Sequence, residues 1–289
     1  MIMSKHKYSI INIIVLLITL ALFMFNFSET ARRVAGYPGV YILALFVIVL
    51  FVNAIKAWRF YFVLYGENNI TRQEFIKQYC KTIPVNVVLP FKIGELFRVC
   101  CFGYQINSFF RGLVFVLVDR FFDTIALIIV LIFVSLLTAQ QFSTLLYLLL
   151  IFVAVVVAIY LMLPGLCSYW KDYLLLTKAT KSSIKALKTI AGIEKTYTQI
   201  STILKGKGSI TLFMSLLAWI IELFGMYSIE KILNIIVDTV FFKNYLMTAL
   251  GMEKNVALES FVVATIALLL VVYIIMHFLS KSRMAKEND

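Results

Sequence analysis

The feature that most constrains this chain is the recurrence of apolar runs about 20 residues long, separated by short charged segments. A helix of about 20 residues crosses the roughly 30 Å hydrocarbon core of a bilayer. The runs cover approximately residues 8–27, 40–57, 113–137, 144–163, 209–229 and 256–279. They are continuous rather than alternating with period two, which argues against a transmembrane β-barrel. With 62% hydrophobic and 15% charged residues, a soluble fold would lack the polar surface to cover these stripes. The expected fold class is all-α: a polytopic helical membrane protein of about six spans, forming a single integral membrane domain over residues 1–289.

The first run follows a short basic tail, MIMSKHKYS. It is longer than a signal-peptide core and has no small-residue cleavage site, so it is expected to be a retained span. The formal net charge of +12 would suggest nucleic acid in a soluble protein. Here the basic residues lie in membrane-flanking segments, where they orient the chain and face anionic lipid, and no nucleic-acid partner is expected. The N-terminal tail, residues 56–111, the lysine-rich stretch before the fifth run and the C-terminal tail fall on one side. SETARR, AQQFS and residues 230–254 fall on the other, which is poorer in Lys and Arg. The expectation is a cell (cytoplasmic or inner) membrane protein with both termini cytoplasmic.

Residues 164–208 form the longest polar stretch, with eight lysines against Asp172 and Glu194. Ile184, Leu187, Ile190, Ile193, Tyr197, Ile200 and Leu204 recur at spacings of three and four, the mark of an amphipathic helix. Two readings stand side by side: a helix lying on the cytoplasmic bilayer surface, or one docked on the cytoplasmic end of the bundle. The fourth span is expected to end at Pro164–Gly165. Within residues 230–254, the apolar middle TVFFKNYLMTALG is too short to cross and would be interfacial or re-entrant.

The segment TIPVNVVLPFKIGELFR, residues 82–98, breaks the pattern. Only ten uncharged residues separate Lys81 from Lys92, about 15 Å of helix, half of a hydrocarbon core. Pro84 and Pro90 interrupt it, and Gly94 allows close approach or a sharp change of direction. A re-entrant helical element near 82–98 is expected, with Pro84, Pro90 and Gly94 as its structural hinge. A full crossing here would also break the alternation of basic and non-basic sides.

A helix starting near Lys92 would place Glu95 and Arg98 one turn apart. In the third apolar run, Asp119 and Asp123 share a face at i, i+4, and Arg120 neighbours Asp123 at i, i+3. Ionisable groups at membrane depth are costly, and they pair inside a bundle or line a wet cavity. Arg98 or Arg111 with Asp119 or Asp123 forms a candidate network, which Glu222, mid-way along the fifth run, could join. Lys92, Glu95, Arg98, Arg111, Asp119, Arg120, Asp123 and Glu222 are therefore the candidate residues of a partly cationic head-group cavity. Arginine suits phosphate through its planar bidentate donors. The competing reading is that the pairs only tie the re-entrant element to its neighbours. Lys56 and Arg59 read as snorkelling side chains at the end of the second run.

No catalytic constellation stands out: GxxxxGK[ST], HExxH and a Ser/His/Asp set are missing, and there are only two histidines. Cys80, Cys100, Cys101 and Cys167 lack metal-ligand spacing and read as packing thiols. No cofactor, metal or catalytic residue is expected.

LPFKIGELFR, followed about twenty residues later by VDRFFDT, resembles the signature of the lysylphosphatidylglycerol synthase transmembrane-region family, the flippase-like domain. The matching positions are Pro90, Lys92, Gly94, Glu95 and Arg98, then Asp119, Arg120 and Asp123. WIIE, Trp219 to Glu222, resembles a Trp–Glu feature of the family's second half. MTALGMEKNVALES, where the family usually carries a second glycine-rich motif, lacks the proline and paired glycines. Synthases of the family also carry a soluble aminoacyl-transfer domain, and no stretch of this sequence reads as one. The resemblance implies lipid handling without synthase chemistry. The expected activity is translocation of an anionic phospholipid or polyprenyl-phosphate-linked glycan between leaflets, and the expected partners are those membrane lipids. The alternatives are an accessory subunit bound to a glycosyltransferase or another envelope-biosynthesis protein, or a glycosyltransferase-like membrane enzyme.

Overall fold

The computed structural model describes residues 5–64, 70–89, 93–138, 144–176, 181–232, 241–249 and 255–286. The described residues are helical throughout their regular structure: α1 (Lys5–Ala35), α2 (Gly39–Leu64), α3 (Arg72–Val88), α4 (Ile93–Gln105), α5 (Phe109–Thr138), α6 (Thr144–Leu176), α7 (Lys181–Ile232), α8 (Phe241–Ala249) and α9 (Val256–Lys286). Six of these carry a stretch long and apolar enough to cross a bilayer: Ile10–Ala35, Gly39–Leu64, Phe109–Leu137, Leu146–Leu176, Leu204–Ile232 and Val256–His277. The all-α, six-span expectation agrees with this architecture.

The spans differ in how much they bury. In α5, the second half of α7 and α9, 39% of the most apolar window is inside the protein, against 6% in α1 and α6. The inner bundle is thus α2, α5, α7 and α9, held by Leu45, Val49, Ala126, Leu223, Met226 and Phe261. In lipid, such packing is a gain of van der Waals contact rather than of water release.

A second cluster lies at one end of the bundle, where α3 and α4 form a helical hairpin. Phe75, Tyr79, Val99 and Phe102 of the hairpin meet Phe60 and Val63 of α2 and Val118 and Phe122 of α5. Phe60 and Phe102 meet edge to face, with centroids 4.9 Å apart. Local sequence defines both arms. Thr71 and Glu74 close a reciprocal capping box at the start of α3. At the end of α4, Asn107 takes φ 57°. The Ser108 and Asn107 N–H groups bond to the Gly103 and Tyr104 carbonyls, a Schellman ending that turns the chain into α5.

The hairpin's tip corrects part of the expected hinge. Pro84 is not a break: it lies buried inside α3, which continues to Val88. α3 ends at Val88 and α4 begins at Ile93; Pro90 and Lys92 lie outside the described residues. Gly94 acts by close approach. A Cβ there would overlap the Asn86 Cα, so only glycine lets α4 start directly against the end of α3.

The polar linker also differs from expectation. α6 runs through Pro164–Gly165 to Leu176, and α7 is continuous for 52 residues, about 78 Å. That is more than twice a hydrocarbon thickness, so the amphipathic stretch is a helical extension of the fifth span. It packs antiparallel to the end of α6: Tyr160 stacks on Tyr197 at 4.9 Å, and Lys171 pairs with Glu194 at 3.4 Å. Those contacts carry α6 past the residues that would otherwise end it.

Candidate functional site: a buried ion network under the helical hairpin

α5 presents Asp119, Arg120 and Asp123 towards the hairpin and α2. Arg59 of α2 donates from Nε to Asp119 Oδ1 at 2.8 Å, and from Nη1 to Asp123 Oδ1 and Ser215 Oγ, both at 2.7 Å. Arg98 of α4 donates from Nη2 to the other Asp119 oxygen at 3.1 Å. Asp119 is therefore shared by two arginines from two elements, and all three side chains are at most 3% exposed.

Glu95 closes the network on the hairpin side. Asn86 donates to its Oε1 at 2.9 Å. Arg120 Nε approaches the same oxygen at 2.6 Å, an ion-pair contact rather than an aligned hydrogen bond. Arg120 Nη1 also donates to Asp123 Oδ2 at 3.4 Å. Three arginines face three carboxylates, so the cluster is balanced in formal charge. Burying an ion costs several kcal/mol, and pairing of this kind is what makes the burial tolerable.

Arg98 is the exception to full satisfaction. Its guanidinium lies 3.9 Å from the Phe60 ring centroid, a cation–π position. Its Nε and Nη1 are buried and have no hydrogen-bond partner among the described residues. Glu95 Oε2, 4.0 Å from Arg98 Nη1, is likewise unsatisfied. A buried donor left unpaired typically costs about 1–3 kcal/mol, more when charged.

A second ionic contact lies one turn further along α2. Lys56 donates to Glu222 Oε2 at 2.7 Å, and the Tyr245 hydroxyl donates to Glu222 Oε1 at 3.1 Å. The Trp219 ring lies 5.4 Å from Lys56 Nζ. Both ends of the WIIE motif thus converge on one lysine. Tyr245 belongs to α8, whose Leu246 is also fully buried. Glu222 is ten residues from the end of α7 at Ile232, about 15 Å, so α8 reaches well inside the bundle.

The expected site residues divide accordingly. Glu95, Arg98, Asp119, Arg120 and Asp123 come together. Glu222 joins Lys56 and Tyr245 instead of the arginine cluster. Arg111 lies apart at the head of α5, lining a different cavity with α7 residues. Lys92 is outside the described residues. Asp119 and Asp123, whose spacing would also suit a metal, are both occupied by Arg59.

Sequence reasoning missed Arg59 and Lys56 by treating them as snorkelling side chains. The available signal was a polar stripe: Asn53, Lys56 and Arg59 recur every third residue on an otherwise apolar helix. Such a stripe faces inward. Trp58, between them, is 65% exposed.

Residues 9–252, most of the chain, match the sequence profile of the lysylphosphatidylglycerol synthase TM region. The chain belongs to that family. The match includes the hairpin, α5 and WIIE, so the network is built from the segments that carry the family resemblance. No curated protein and no solved structure matches the chain.

Proposed function

We propose that this protein binds phosphate-bearing membrane lipids and passes them between leaflets, without covalent chemistry of its own. The observation that carries this reading is Arg98: a fully buried guanidinium with two donors unengaged among the described residues. Those donors suit two oxygens of a phosphate, and the balanced carboxylates hold the arginines in place while no anion is bound.

The charge balance sets a condition on loading. A phosphate entering the network adds negative charge at membrane depth, which is expensive unless a carboxylate gives up its arginine. Glu95 is the carboxylate suited to this, because its Oε2 is already unsatisfied and its side chain is 19% exposed. It faces Arg98 on its own helix, Arg120 on α5 and Asn86 on α3. A head group that binds here would displace Glu95 from Arg98 and Arg120. The substrate class is an anionic phospholipid or a polyprenyl-phosphate-linked glycan, in a cell membrane with both termini cytoplasmic.

Leaflet-resolved translocation in proteoliposomes tests the proposal. Wild-type protein is expected to move one lipid class, and Glu95→Gln to move it at a clearly altered rate. Unchanged movement in Glu95→Gln would remove Glu95 from the mechanism.

One observation favours a second reading. Among the described residues of the 230–254 stretch, α8 commits its buried Tyr245 hydroxyl to Glu222. A carboxylate held by such an internal contact also fits an accessory subunit that presents lipid to a glycosyltransferase or another envelope-biosynthesis enzyme. A stable complex with such an enzyme, and no translocation by the isolated protein, would support that alternative.

A further inference from the structure

A cavity of about 610 Å³, within the size range of small-ligand sites, lies between the α4–α5 turn and the first half of α7. Arg111, Lys188 and Lys195 line it together with Ser108, Thr196 and Gln199, and no acidic residue is among its described lining residues. The one acidic residue in this part of α7, Glu194, is turned to Lys171 on α6. The Thr196 hydroxyl donates back to the Gly192 carbonyl at 2.9 Å. Lys188 and Lys195 are therefore the principal donors facing the space from α7.

Position adds to charge. α5 begins at Phe109, and Ser108 caps it by accepting from the Arg111 N–H at 3.4 Å. The partial positive charge of a 30-residue helix is therefore directed at the cavity. Phe109 and Phe110 are 53% and 67% exposed at the start of an apolar span, as lipid-facing aromatics at an interface are. Lys195 precedes the α7 span, which starts at Leu204, by nine residues, about 14 Å. The cavity therefore extends from the edge of the hydrocarbon into the water, at head-group height.

We propose that this cavity is a phosphate-binding site that holds the head group of an anionic membrane lipid, separate from the buried network. Lys188 and Lys195 contact the phosphate, while Phe110, Ile106 and Ile193 receive the start of the acyl chains. Its occupancy would fix the projecting half of α7 against α5. The inference does not rest on transport: the site binds whether or not the protein moves lipid.

The test is native mass spectrometry of the full-length protein carrying phosphatidylglycerol, with inorganic phosphate as a separate probe. Lys188→Ala/Lys195→Ala is expected to weaken phosphatidylglycerol retention about tenfold or more. Lys185→Ala/Lys205→Ala removes the same charge from the same helix outside the cavity, and is expected to leave retention unchanged. Phosphatidylcholine is expected to be retained weakly by every form. An equal loss in both lysine pairs would mean diffuse surface attraction and would overturn the site. Unchanged retention in Lys188→Ala/Lys195→Ala would overturn it too. Inorganic phosphate binding as tightly as the lipid, and displacing it, would overturn the assignment to a lipid head group.

Discussion

The ion network beneath the hairpin and the cavity at the head of α5 are both built around arginine, yet they solve opposite problems. The network is buried and balanced, three arginines against three carboxylates, with Asp119 shared by Arg59 and Arg98. The cavity lies at an interface, and the exposed Lys188 and Lys195 face it beside Arg111, with no acidic residue among its described lining. The difference teaches that depth dictates pairing. Where water is absent a cation requires a fixed counter-charge. Where head groups are near, the counter-charge can be supplied by lipid.

The largest effect that would sharpen this contrast is loss of Arg59. Arg59→Ala leaves Asp119 and Asp123 buried without their main partner, and the expected cost is about 3–5 kcal/mol. Thermal unfolding in detergent would show it as a large fall in Tm. The same measurement on Lys188→Ala/Lys195→Ala is expected to stay within about 0.5 kcal/mol of wild type, because those lysines are exposed. Comparable losses at the two sites would break the distinction.

Next in size is Gly94→Ala. The Asn86 backbone leaves no room for the added methyl, so α4 must move away from α3. A loss of about 1–3 kcal/mol is expected. Lipid translocation is expected to fall as well, because Glu95 and Arg98 shift with the helix. An unchanged Tm would show that the hairpin tip is looser than the close contact implies.

Lys56 and Glu222 should be coupled. A double-mutant cycle with Lys56→Met and Glu222→Gln is expected to give an interaction of about 0.5–3 kcal/mol, the double variant being more stable than the singles predict. Additive effects would mean that Tyr245, rather than Lys56, holds Glu222. The smallest effect belongs to the cap of α3: Thr71→Ala should cost about 1 kcal/mol, read by the same unfolding measurement.

Much of this architecture was legible in the sequence because a bilayer limits the choices. Apolar length identified the six spans, and the ten-residue gap between Lys81 and Lys92 identified a segment too short to cross. Pairs within one helical turn, such as Glu95 with Arg98 and Arg120 with Asp123, were legible from spacing alone.

What was not legible depends on helix phase and on contacts between distant elements. Arg59 sits among aromatics near a span end, where snorkelling and inward pairing look alike until Asn53 and Lys56 are seen to share its face. Glu222 was visible as a mid-span carboxylate, but its partners come from α2 and α8, 166 and 23 residues away. Pro164–Gly165 reads as a helix end, and the contacts of α6 with α7 override it. Arg111 was grouped with the buried charges by proximity in sequence, whereas it lies eight residues, about 12 Å of helix, before Asp119 and lines a cavity with α7.

The account rests most heavily on Arg98 as the group that receives a lipid phosphate. Leaflet-resolved translocation in proteoliposomes, with labelled phosphatidylglycerol and labelled polyprenyl phosphate, tests that directly in wild-type protein and in Arg98→Ala. The predicted result is movement of one lipid class by the wild type and its loss in Arg98→Ala that remains folded. Full movement in folded Arg98→Ala, or no movement of either lipid by folded wild-type protein, would contradict it.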